Sequence, residues 1–348
     1  MESYTPKDRI LAAWKGERTD RVPFNVDIGP HYASVLNYTP EDYFGNIDTA
    51  IECQVKSVMD YPSDIITVPQ NLWGWFALNA CYRFKAGAGD IEDACVTSME
   101  DIENLESVPV QEIEGIELLK RSCRKIEALA PSHAARVAVL GPILDAVRLT
   151  GLENWIVNTQ ELPEFIHRPI RLTTDATKAR ALEIVNQTDV FILVMADTFA
   201  SISNISPSIY REFVFPYEME WFQDLREAAR NSKIIGIHIC GFLDPIMDDI
   251  CQLPVDWIEL DGPSSLRKMF EAAKGKRIIR GNIGGEIFAD GTREEIDEAV
   301  KRCLEIDSGS NRYVLSTGCQ IPLNAPLDQV RHFIEAEQEF VDTCITKA

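Results

Sequence analysis

The chain has 348 residues, 45% of them hydrophobic, and a formal net charge of −21. That length suits one large α/β domain, and residues 1–348 are read as a single domain. The acidity excludes nucleic acid and an anionic membrane surface as natural partners, since both are themselves negative. The longest apolar run, Val190 to Ala196, is bounded by Asp189 and Asp197, and the first residues lack the apolar segment of a secretory signal. A cytoplasmic protein with no membrane span is therefore expected. Nine cysteines, odd in number and without framework spacing, read as reduced thiols. Cys53, Cys123, Cys251, Cys303 and Cys344 fall in helix-like segments, where a small buried hydrophobe is the usual role.

In chain order, Thr5-Pro6-Lys7-Asp8 opens a capped helix, with proline at its first position. A first strand is expected within 20–29, closed by Gly29. A helix over about 47–60 precedes a second strand in 64–69. Residues 70–97, with Trp73, Trp75, Phe76, Tyr82 and Phe84, are too many for a plain βα loop and suggest an inserted hairpin or lid. Apolar, β-branched runs then recur at 135–140, 189–196, 234–240, 256–260, 277–283 and 312–316. Amphipathic stretches at 112–130, 163–185, 207–231, 243–251, 293–306 and 327–343 alternate with them. Eight such units predict a closed (β/α)8 TIM barrel. Thr292 to Glu295 is a capping box, and Ser206-Pro207 marks another helix start.

Catalytic side chains of such a barrel sit where strands end. His238 and Cys240 end the fifth strand and, two apart, share one face of it. Cys319, just past the eighth strand, completes a His/Cys/Cys set that suits zinc and leaves a fourth tetrahedral position open. A structural zinc and a cysteine nucleophile activated by His238 are the competing readings. Asp27, His31, Tyr32, Asp64, Asp197, Glu259, Asp261 and Asn282 are expected at or just past other strand ends. Glu259 and Asp261 share a face of the sixth strand; one is expected as a partner or fourth ligand beside His238, unless both serve as salt-bridge or cap residues. His133, His167 and His332 read as surface or packing residues.

With these residues in view, the chain resembles the uroporphyrinogen decarboxylase superfamily over nearly its whole length. Arg9 to Pro23 is similar to the family's opening, Gly281-Asn282-Ile283 to its Gly-Asn strand, and Gly291 to Ile296 to the segment that follows. Ser63 to Gln70 resembles the decarboxylase segment whose aspartate contacts the tetrapyrrole, which implies a role for Asp64. The loop Asp27 to Tyr32, however, lacks the arginines that hold propionates, and Gly318-Cys319 replaces a Gly-His. The His-x-Cys and later Gly-Cys resemble the zinc-containing corrinoid methyltransferase branch.

That resemblance implies Zn2+ on His238, Cys240 and Cys319, and a corrinoid carried by a partner protein, since the chain has no Asp-x-His-x-x-Gly motif. Asp64, Glu259 and Asp261 would orient substrate or handle its proton; Asp27, His31, Tyr32, Trp73 and Asn282 would bind it. The tryptophans favour an aromatic methyl ether as donor, hence an O-demethylase. A methylcorrinoid:thiol transferase of the coenzyme M type is the alternative. From other classes come a tetrapyrrole decarboxylase and a non-enzymatic binding module with a closed metal site.

Overall fold

The structure, a computed structural model, describes residues 4–69, 96–104, 114–307 and 309–345. Eight strands form the sheet: β1 (Phe24–Asn25), β2 (Ile65–Thr67), β3 (Ala134–Leu140), β4 (Ile192–Ala196), β5 (Ile234–Ile239), β6 (Trp257–Leu260), β7 (Ile278–Ile283) and β8 (Tyr313–Thr317). Every ladder is parallel, and the order runs β1-β8-β7-β6-β5-β4-β3-β2. This is the expected (β/α)8 barrel. The expected hairpin and its aromatic residues, Trp73 among them, fall on residues 70–95 and lie outside the described residues.

The first strand is shorter than expected. Pro23 brings no N–H to a ladder, and the Ile28 amide turns back onto the Val26 carbonyl before the helical segment Gly29–Val35. The stretch after β5 is also shorter, a 3₁₀ turn Asp244–Ile246 followed by Met247–Ile250, between Pro245 and Pro254. The caps form as expected. Thr5 and Asp8 make a capping box for Pro6–Lys15, and Thr292 and Glu295 make another, with reciprocal bonds of 2.8 and 3.2 Å. No helix among the described residues is long and apolar enough to cross a membrane.

Side chains inside the barrel change character from bottom to top. Ile65, Ala134, Ile192, Ile234, Trp257, Ile278 and Val314 form an apolar lower layer, plugged from below by Ile10 of the first helix. Two residues further along the same faces lie Arg136, Gly236, Glu259, Arg280 and Ser316. Gly236 is required there: a Cβ would stand 2.7 Å from Cδ1 of the Trp257 ring. The next step up β5 is His238. The main apolar core fills the space between the strands and the outer helices.

No ladder joins β1 to β2 among the described residues; Asp64 closes that junction instead. Its amide donates to the Phe24 carbonyl (2.7 Å), and its Oδ2 accepts from the Phe24 amide (2.8 Å). Arg9 and Arg21 reach the same buried carboxylate at 3.0 and 2.8 Å. Asp64 precedes β2, so it sits at the barrel's lower end, away from the mouth where catalysis was expected of it. Asp64→Ala leaves two guanidiniums without their partner and is expected to cost about 3 kcal/mol in urea unfolding, with metal content per folded molecule unchanged.

Candidate metal centre

β5 delivers His238 inward, and the chain leaves the strand through Cys240 and Gly241, whose φ of +90° fits glycine. β8 ends at Thr317, and Gly318 lets Cys319 return toward β5; a Cβ at Gly318 would lie 2.7 Å from Asp261 Oδ1. One donor atom from each of His238, Cys240 and Cys319 lies within 4.8 Å of the others, and His238 Nε2 is 2.9 Å from Cys240 Sγ. Ligand edges around a tetrahedral zinc are about 3.6–3.8 Å, from bonds of roughly 2.0–2.3 Å. The trio fits that ion after side-chain adjustments under about an ångström. No fourth His, Cys, Asp or Glu joins the cluster among the described residues, which suits a site with a place left for a ligand. No ion has been placed in the site.

The loop bearing Cys240 is fastened on three sides. Asp261 Oδ2 accepts from the Gly241 amide (2.8 Å), Ser203 Oγ from the Phe242 amide (3.0 Å), and Ser264 Oγ from the Leu243 amide (2.9 Å). Thr198 Oγ1 points its hydroxyl at Cys240 Sγ from 4.0 Å. Beneath His238, Glu259 Oε2 stands 3.6 Å from Nδ1, too far for a formed hydrogen bond but placed to orient the ring. Glu259 receives both arms of Arg136, the Trp257 indole N–H (3.0 Å) and Arg280 Nη1 (3.3 Å). Burial works to raise its pKa; Arg136 and Arg280 overcome this and hold it well below the usual carboxylate range.

The two thiols share their environment unequally. A hydrogen bond from the Cys240 thiol, and another from His238, draw the Cys319 pKa below that of a free thiol against the effect of burial. The same bond, with burial, drives Cys240 up. Burial pushes His238 down, but the bond to Cys319 and the Glu259 charge leave it raised. Without a cation the cluster therefore holds protons that a metal must displace.

The other expected site residues divide. Glu259 and Asp261 are both at the centre, as buried ion-pair partner and loop anchor respectively. Asp27 is at the mouth, with Oδ2 3.3 Å from Arg280 Nη2. His31 Nε2 meets the Ala325 carbonyl at 2.6 Å, and Tyr32 donates to Asp60, so both tie loops together. Asn282 donates to the Ser264 carbonyl (2.7 Å), bracing the Cys240 loop from behind. Asp197 accepts the Ile143 and Leu144 amides at a helix start. Arg136, Arg280, Thr198, Ser203 and Ser264 were not singled out from the sequence. Charged residues inside otherwise apolar strands were the available signal for the two arginines.

A comparison with known proteins decides the lineage. The profile described as uroporphyrinogen decarboxylase (URO-D) matches residues 5–340. The chain belongs to the uroporphyrinogen decarboxylase family. Within reach of this family member lies the methylcobamide:CoM methyltransferase MtbA of Methanosarcina acetivorans, 23% identical over 98% of this chain and 99% of the relative. The methylcobamide:CoM methyltransferase MtaA of Methanosarcina barkeri is 25% identical over 58% of this chain and 56% of its own. A solved methyltransferase from Methanosarcina mazei shares the fold at a TM-score of 0.76 and 19% identity, covering 97% of this chain and 99% of that one.

Because Cys240 must lose a proton to bind a cation, zinc affinity of this family member is expected to rise with pH between 6 and 8. The gain is about tenfold per unit for each proton released, checked by chelator competition and by dye-detected proton release. Glu259→Gln is expected to weaken zinc binding by about ten- to a hundredfold in the same competition.

Proposed function

We propose that this protein is a corrinoid-dependent methyltransferase that moves a methyl group between a corrinoid carried by a separate protein and the sulfur of a small thiol. The observation that carries the reading is the convergence of His238, Cys240 and Cys319 within 4.8 Å at the barrel mouth. Relatives named as methylcobamide:CoM methyltransferases and as a methylated-thiol–coenzyme M methyltransferase support it. Zinc, when bound by these three side chains, supplies a Lewis acid that keeps a thiol sulfur nucleophilic at neutral pH.

The chain's own residues perform the remaining work. Cys240 comes from a loop that Asp261, Ser203 and Ser264 hold in place, and Cys319 from a segment held by the Gly318 amide on the Ile283 carbonyl and the Ile321 amide on the Asp27 carbonyl, so the donors are pre-set before substrate arrives. Glu259 faces Nδ1 of His238 and leaves Nε2 turned toward the sulfurs. Arg136 and Arg280 offset the Glu259 charge in a region from which water is excluded. The thiol reading is preferred to aromatic O-demethylation, whose support was the tryptophan-rich segment outside the described residues. Tetrapyrrole decarboxylation loses the residue that suggested it, since Asp64 lies at the barrel's lower end with Arg9 and Arg21 on it.

The test is an assay of purified protein with a methylated corrinoid protein and small thiols, with methoxyarenes in a parallel arm. Chelation is expected to abolish transfer to thiol and zinc to restore it, while Cys240→Ser and Cys319→Ser lose bound zinc and transfer together. Metal-free protein that still methylates a thiol at the full rate refutes the reading.

A further inference from the structure

The acids that end neighbouring strands are satisfied by backbone amides. Asp197 accepts from Ile143 and Leu144 at 3.0 and 2.7 Å, and Asp261 from Gly241 and Gly262, each at 2.8 Å. Asp27, just past β1, is different. Its Oδ2 meets Arg280 at 3.3 Å, while Oδ1 is buried with no hydrogen-bond partner among the described residues, in a residue only 6% exposed. A buried carboxylate oxygen without a donor is costly to keep, so its place calls for a donor that arrives later.

The Asp27 backbone is tied to the segment that bears Cys319. Its carbonyl accepts from the Ile321 amide at 3.0 Å, two residues beyond Cys319. Arg280, which holds its Oδ2, also holds Glu259, and Glu259 faces His238. The helical segment that follows, Gly29–Val35, carries a second unpartnered polar atom. His31 Nε2 faces a carbonyl oxygen, which can only accept, so Nε2 bears a hydrogen, and Nδ1 is buried with no partner among the described residues. Both guanidiniums beneath the site, Arg136 and Arg280, are already engaged by carboxylates. Among the described residues nothing in this arrangement favours an anionic group, and the unpartnered Asp27 oxygen repels one in a weakly screening interior.

We infer that Asp27 determines substrate specificity: its Oδ1 accepts a hydrogen bond from the end of the thiol remote from sulfur. That end then carries an ammonium or hydroxyl, not the sulfonate of coenzyme M or a carboxylate. The inference rests on the thiol reading above, and binding, independent of turnover, tests it. Zinc is replaced by cobalt(II), whose sulfur-to-metal charge-transfer band reports a new thiol at the metal. The protein is titrated with ethanethiol, 2-mercaptoethanol, cysteamine and 2-mercaptoethanesulfonate.

Cysteamine and 2-mercaptoethanol are expected to bind about tenfold more tightly than ethanethiol, the value of one hydrogen bond to a charged acceptor. The sulfonate is expected to bind more weakly than ethanethiol. Asp27→Asn is expected to remove most of the cysteamine advantage and to bring the sulfonate up to ethanethiol. The unsubstituted protein's ranking stands as a test even if that variant folds poorly. A sulfonate that binds as tightly as cysteamine, or a ranking unmoved by Asp27→Asn in folded protein, overturns the inference and leaves the thiol reading standing. A band that no thiol perturbs overturns both.

Discussion

The site depends on a carboxylate buried in the middle of the barrel. Glu259 is taken out of water on β6 and is tolerated there because Arg136 from β3 and Arg280 from β7 converge on it, with the Trp257 N–H as a further donor. Two positive and two negative side chains thus balance, with Arg136, Arg280 and Glu259 in one layer and Asp27 above it, past β1. With those charges balanced, the His/Cys/Cys trio above is tuned by Glu259 facing His238, by its own charges and by the cation it takes up. Two thiolates and a dipositive ion again sum to zero, so the binding of metal preserves that neutrality.

This arrangement explains why the polar interior stops where it does. Below it the barrel is filled by aliphatic side chains and one indole, all buried. The indole itself fits because Gly236 contributes no side chain next to it. Above it, hydroxyls and Asp261 take over and satisfy the amides of the Cys240 loop. Each layer thus sets the conditions for the next, from packing to charge to soft ligands.

Much of this was legible in the sequence. Alternating and β-branched runs located all eight strands, because inward and outward faces of a barrel strand are both apolar over most of their length. His238, Cys240 and Cys319 stood out because each ends such a run. Asp64 was misplaced because an acid beside a strand looks the same before it as after it, and only the direction of the chain through the barrel tells floor from mouth. Arg136 and Glu259 meet across 123 residues of sequence, a separation at which no local pattern speaks. The hydroxyls of Thr198, Ser203 and Ser264 were hidden for a plainer reason: serines and threonines in loops are common and usually serve the backbone, as these mostly do.

The junction between β1 and β2 has a mechanical consequence. Among the described residues seven boundaries between adjacent strands are continuous ladders, whereas this one is held at its base by Asp64 with its peptide groups and two arginines, and by Asn25 donating to Ser63 Oγ (3.1 Å). The described barrel is therefore a split ring, laddered around most of its circumference and joined by a few bonds along one seam. His238 and Cys319 follow strands laddered on both sides, whereas Asp27 follows β1, laddered on one side only, so a load that opens the seam reaches Asp27 before it reaches the metal ligands.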